Sequence, residues 1–99
     1  MLSTQFEEII QKRRSNRRYD PAVKVDDAII ERSLQRSILS PNSSNMQLWE
    51  FYHVVSPDIL QKLSVASFNQ SAAKKAQQMV VVVTRKDLWK KRAKANIDF

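Results

Sequence analysis

Ninety-nine residues, 42% of them apolar and 27% charged, suit one ordinary globular domain with a modest core and exclude a disordered chain. Seventeen Lys and Arg against ten Asp and Glu give a net charge of +7, which favours an anionic partner such as nucleic acid, acidic lipid or a phosphorylated small molecule. The absence of cysteine excludes a disulfide framework and thiol chemistry, and the absence of glycine excludes the Gly-rich phosphate loops of P-loop and Rossmann proteins.

The first predicted element is a helix over residues 5–13. Thr4 and Glu7 have capping-box spacing, and Phe6, Ile9 and Ile10 form a short apolar stripe. Glu7 and Glu8 fall where a signal peptide would be basic and then apolar, and no run of about 18 apolar residues occurs. The expectation is a cytoplasmic protein with no membrane span. Lys12, Arg13, Arg14, Arg17 and Arg18 then place five cations within seven positions, at a helix end where cations suit the macrodipole. If the helix continues, residues 13, 14 and 17 share a face. Pro21 keeps the next segment extended or turned.

Asp26 reads as the N-cap of a second helix, 27–39, whose buried side carries Ile30, Leu34 and Ile38. Ser40-Pro41 ends it. The loop that follows, Pro41-Asn42-Ser43-Ser44-Asn45-Met46-Gln47-Leu48-Trp49, is rich in amides and hydroxyls and carries no charge. Such a loop surrounds a polar ligand with neutral donors and acceptors, or simply makes turns through bonds to its own backbone.

A strand is predicted over 49–55 from its aromatic and β-branched content. Ser56-Pro57-Asp58 opens a third helix, with Ile59, Leu60, Leu63 and Ala66 on its buried face. Residues 67–78 read as a loop with a helical turn at 72–76. Residues 79–84 (Met-Val-Val-Val-Val-Thr) form a second strand with no polar alternation, which predicts burial on both faces. Asp87 is placed to cap a last helix carrying Leu88, Trp89, Ala93 and Ile97. Lys90, Lys91, Arg92 and Lys94 read as its solvated face. Two strands alone make a marginal sheet. The missing neighbours come either from a second copy or from a longer domain, and a helical pattern running to residue 99 favours the longer domain.

The arginine cluster admits three readings: a solvated basic turn, a phosphate site built on planar guanidinium forks, or a nucleic-acid patch. No recognition helix or stacking platform accompanies it, so nucleic acid is the least favoured. His53, inside a strand, reads as structural or exposed.

Two segments together are more specific. Arg13-Arg14-Ser15-Asn16-Arg17-Arg18-Tyr19 resembles the Arg-Arg-Ser-x-Arg-x-Phe opening of the FMN-dependent nitroreductase family, and residues 41–49 resemble its Pro-Ser-Ser-x-Asn-x-Gln-Pro-Trp segment. Their order, the helix between them and the strand and helix that follow also agree. The resemblance covers residues 1–99 as the N-terminal part of the family domain. It implies an α+β fold, with helices packed on a mainly antiparallel sheet that is incomplete in this chain. It further implies a homodimer with FMN at the interface and NAD(P)H as electron donor. On that basis Arg13, Ser15 and Arg17 match positions that hold the FMN phosphate, ribityl chain and pyrimidine edge. Arg14 matches a position that is usually basic or imidazole. Ser43 and Asn45 match the loop that reaches FMN, Gln47 a nearby amide, and Asn69 an amide near the flavin N5 and O4.

The implied reaction passes electrons from NAD(P)H through FMN to a nitroaromatic, quinone or similar acceptor, with no catalytic acid, base or nucleophile and no metal. Leu48 and Asn42 depart from the family's Pro and Ser, and Tyr19 from its Phe. The family's later strands, second set of basic phosphate contacts and dimer-embracing segment have no counterpart. The alternatives are a non-catalytic truncated piece of such an enzyme and, third, a basic nucleic-acid-binding module.

Overall fold

A computed structural model describes residues 2–98. The elements run α1 (Leu2–Lys12), α2 (Asp27–Ser37), a 3-10 turn (Ser43–Asn45), β1 (Trp49–Val54), α3 (Pro57–Ala66), α4 (Ser71–Lys75), β2 (Met79–Thr84), a second 3-10 turn (Lys86–Leu88) and α5 (Trp89–Asp98). The arrangement is α+β, with helices around a small antiparallel sheet.

β1 and β2 pair antiparallel from Trp49↔Thr84 to Val54↔Met79. The Arg85 N–H donates to Leu48 O at 2.8 Å, carrying the ladder one step beyond and fixing where the polar loop enters the sheet. Opposed residues share a face, so Trp49, Phe51, His53, Val80 and Val82 lie on one side. Glu50, Tyr52, Val54, Met79, Val81 and Val83 lie on the other. Trp49 and Phe51 meet with ring centroids 5.3 Å apart.

Three expectations are corrected. β2 is not buried on both faces: Met79, Val81 and Val83 are half-buried, whereas Val80 and Val82 are 41% and 62% exposed. A valine run is compatible with cover on both sides but does not supply it, and within residues 2–98 β2 pairs with β1 alone. α1 already includes Leu2, so Thr4 lies inside the helix and caps nothing. α1 also stops at Lys12, and residues 13–20 are irregular, so Arg13, Arg14 and Arg17 share no helix face. Asp87 does not cap α5: it sits in the second 3-10 turn, and its carboxylate is taken by Arg85. α2 follows the sequence more closely. The Asp26 carboxylate accepts from Ala28 N–H at 3.1 Å, and the helix ends two residues early, at Ser37.

Among the described residues no hydrophobic side chain is fully buried, and Ser64 alone is buried. Phe6, Ile9 and Ile10 of α1 are all more than half exposed. The radius of gyration is 17.3 Å, against about 13 Å for a compact chain of this length. The accessible surface is 8851 Å², against about 5,800 Å² for a compact monomer of this mass, an excess of about 3,000 Å². The secondary structure is built, but its apolar faces are largely uncovered.

Candidate functional site

The polar loop has an unusual backbone. Ser44, Asn45 and Gln47 have φ of 52°, 51° and 53°, three left-handed residues within four positions and none of them glycine. Asn tolerates this region because its side chain bonds locally, but a residue with a Cβ gives up about 1–2 kcal/mol there. The loop is therefore held by its surroundings. Asn45 N–H donates to Asn42 O and Met46 N–H to Ser43 O, both at 3.1 Å, closing the 3-10 turn. The Asn42 side chain accepts from Gln47 N–H at 2.8 Å and donates to Ser40 O at 3.3 Å. From below, Arg92 Nη1 on α5 donates to Met46 O and Gln47 O, each at 3.4 Å, and the Asn96 side-chain amide donates to Ser44 O.

These contacts engage the loop's backbone and, Asn42 apart, leave its side chains free. Ser43, Asn45 and Gln47 are exposed, and among the described residues their side chains make no hydrogen bond. A row of neutral donors and acceptors thus projects from a backbone fixed on its inner side.

The basic segment is placed differently. Arg14 Nη1 donates to Gln11 O at 2.9 Å and to Arg13 O at 2.8 Å, satisfying carbonyls at the end of α1. Arg13, Ser15 and Arg17 are exposed, and among the described residues their side chains have no hydrogen-bond or ion-pair partner. Asn16 accepts from Arg18 N–H at 3.1 Å and Asp20 from Ala22 N–H at 2.9 Å, two local side-chain turns. The segment is tied to the start of β2 by two glutamines: Gln77 Nε2 donates to Pro21 O at 3.1 Å and Gln78 Nε2 to Val25 O at 2.5 Å. Gln78 Oε1 meets His53 Nε2 at 2.6 Å, so His53 is structural. A groove of about 420 Å³ between this segment and residues 76–78 is lined by Asn16, Tyr19, Val23, Val25, Ile30 and Gln78 among others.

Within residues 2–98 no hydrogen bond or ion pair joins the arginine segment to the polar loop, and the groove contains none of Ser43, Asn45 and Gln47. Asn69 lies apart from both. With Phe68 it forms the left-handed turn after α3, φ 53° and 59°, and it lines a small cleft between α3 and α4. The chain presents the candidate residues as separate walls.

At the loop's end of the sheet lies a charged cluster. Arg85 makes a close ion pair with Glu50 and a bidentate one with Asp87, at 3.0 and 2.9 Å. The Tyr52 hydroxyl donates to Glu50 Oε2 at 2.7 Å. Hydrogen bonds from Arg85 hold the Asp87 carboxyl below its ordinary value. The hydrogen bond to Glu50, and then the carboxylate's charge, push the Tyr52 phenol up. These groups engage one another, and their geometry assigns them to fixing the sheet end. Among the described residues no group of His, Asp and Glu could hold a metal ion, and no helix is long and apolar enough to cross a membrane.

Sequence reasoning missed Arg92 and Asn96. Arg92 had the look of one more cation on a solvated face. The available signal was its spacing of four from Asn96, which puts two donors on one side of α5.

Comparison with known proteins bears on the family and the fold. The family model described as "Nitroreductase family" matches residues 10–98. The chain is 38% identical over 78 residues to the Bacillus subtilis (strain 168) protein named "Putative NAD(P)H nitroreductase YdgI", over 78% of this chain and 37% of that one. Among solved structures, a "putative nitroreductase in complex with FMN" from Exiguobacterium sibiricum 255-15 superposes with a TM-score of 0.71 at 29% identity. That match covers 94% of this chain and 46% of the other. A "putative NADH oxidase" from Clostridium acetobutylicum gives 0.66 at 28% identity, covering 91% and 57%. A nitroreductase-like protein from Streptococcus mutans gives 0.74 at 16% identity, covering 99% and 55%, a likeness of fold alone. The chain spans a little over a third of the curated relative's length and about half that of the solved structures.

Proposed function

The chain belongs to the nitroreductase family, and we propose that it is the N-terminal segment of an FMN-dependent oxidoreductase that takes electrons from NAD(P)H and delivers them to a nitroaromatic, quinone or similar acceptor. The observation that carries this reading is the polar loop. Its backbone is held in a left-handed path without glycine, while Ser43, Asn45 and Gln47 remain exposed and unengaged.

The donor set fits the cofactor chemically. FMN combines a phosphate, a hydroxylated chain and a ring edged with hydrogen-bonding atoms. Arg13 and Arg17 offer unpaired guanidinium forks for an anion. Ser15 offers a hydroxyl for the ribityl chain, and the loop offers neutral amides for the ring. FMN, once bound, supplies the redox chemistry. The chain's residues would bind and orient it: Arg17 would set a fixed cation at the pyrimidine edge, favouring negative charge there. Ser43, Asn45 and Gln47 bond the ring without exchanging protons. Arg14, committed to the end of α1, orders the basic segment, and Asn69 offers an amide for the flavin N5 and O4. FMN bound to the Exiguobacterium protein and the NAD(P)H in the Bacillus protein's name support the cofactor pair.

Because the arginine segment and the loop are separate walls here, we place FMN where one copy's loop meets another copy's arginines. The excess of about 3,000 Å² of surface per chain leaves faces for both a second copy and the rest of the family domain to cover. A pyridine-nucleotide donor accords with a cytoplasmic setting.

The test is titration of the purified chain with FMN, followed by quenching of flavin fluorescence. Binding is expected, and Arg17→Ala should raise Kd at least tenfold, as loss of a charge-assisted hydrogen bond does. Equal affinity in Arg17→Ala removes that residue from the site. A chain that binds no FMN but binds duplex DNA with steep salt dependence replaces the flavin reading with the nucleic-acid one.

A further inference from the structure

We infer that Arg92 and Asn96 of α5 are positioning residues that set the loop's ligand-facing conformation; the claim rests on the flavin reading of the loop and adds two residues to it. The two are one helical turn apart on the same side of α5. Between them they donate to three loop carbonyls, those of Ser44, Met46 and Gln47. Ser44 and Gln47 are themselves left-handed, and Met46 lies between the left-handed Asn45 and Gln47.

The division of labour is specific. Asn42 and the 3-10 turn engage the loop's N–H groups, and α5 engages its C=O groups. With the Ser44, Met46 and Gln47 carbonyls engaged by α5, the side chains of Ser43, Asn45 and Gln47 are left without a hydrogen bond to any of them. A glycine-free loop released from α5 has every reason to relax toward right-handed or extended backbone. Each such rotation re-aims a side chain. Arg92 also differs from the cations beside it: it is half-buried, whereas Lys90, Lys91 and Lys94 are exposed.

The experiment compares Arg92→Ala, Asn96→Ala, Arg92→Lys and the control Lys91→Ala in the full chain. One readout is the amide exchange of Gln47, whose N–H is held by Asn42. The other is FMN affinity. Arg92→Ala and Asn96→Ala should each speed Gln47 exchange about tenfold and weaken FMN by a similar factor. Exchange of the β1–β2 ladder amides should stay unchanged. Arg92→Lys, which keeps a donor, should recover part of both effects, and Lys91→Ala should move neither. Unchanged Gln47 exchange in both alanine variants overturns the inference. So does a loss of ladder protection equal to that at Gln47, because the pair would then be general packing. If the unsubstituted chain binds no FMN, the flavin reading fails, and the exchange comparison still decides whether α5 sets the loop.

Discussion

Gln78 is one of the two glutamines that join the stretch following the basic segment to the sheet, and its removal has a calculable cost. Its amide cannot flip: Nε2 must face the Val25 carbonyl, which only accepts, so Oε1 faces His53 and the His53 Nε2 carries the hydrogen. Gln78→Ala deletes both bonds. At about 1 kcal/mol each, and less for the exposed Val25 contact, the loss is about 1–2 kcal/mol. A chain of this size loses about 4–8 °C per kcal/mol, so Tm should fall by roughly 4–16 °C. Far-UV circular dichroism measures the melt. Amide exchange should rise over residues 16–25, where the turns at Asn16 and Asp20 lie, before it rises in β2. Gln78→Glu should fail to restore stability, because a carboxylate oxygen would then meet the Val25 carbonyl. If Gln78→Ala melts as the unsubstituted chain does, with unchanged exchange over 16–25, the link is not what holds the segment.

Four further outcomes rest on the same kind of reasoning. Ser44→Gly should raise Tm by roughly 2–6 °C: relief of the left-handed Cβ penalty, about 1–2 kcal/mol, exceeds the added freedom of glycine in the unfolded chain. Asp26→Ala should cost about 1 kcal/mol by removing the α2 cap, visible as a Tm drop of roughly 4–8 °C. The sheet-end cluster gives opposite signs at the two pH extremes. Asp87 binds its proton less tightly folded than unfolded. Its contribution is therefore present above its ordinary value of 3.8 and lost as pH falls through the lower folded value, and Arg85→Met should flatten that acid limb. Tyr52 binds its proton more tightly folded. Its contribution is full below 10.0 and lost as pH rises through the higher folded value, so Tyr52→Phe should flatten the alkaline limb of a Tm-against-pH profile.

Much of the fold was legible because it is locally encoded. Asp26 caps α2 as its side chain dictates, Pro57 stands at the start of α3, and β2 occupies the valine run from Met79 to Thr84. What was not legible depends on neighbours. The bare faces of Val80 and Val82 cannot be told from covered ones by composition, since the same residues suit both. At the stop of α1, the Arg14 side chain bonds the Gln11 and Arg13 carbonyls, a contact that competes with continuing the helix. Arg92 separates from Lys90, Lys91 and Lys94 only through the register of α5 under the loop. The loop itself was recognisable from its amides and hydroxyls. Its left-handed path was not, because the usual marker of such a path is glycine.

The free edge of β2 has a consequence for handling the chain. Met79–Thr84 is six residues of high β-propensity with no charge and no proline, and one of its edges has no strand beside it among residues 2–98. Such a strand templates pairing with its own kind. The net charge of +7 opposes that association at low ionic strength, and added salt screens it. Self-association of the isolated chain should therefore grow with salt, the reverse of what a contact between opposite charges would show. A lysine at Val82, on the open face, should suppress it.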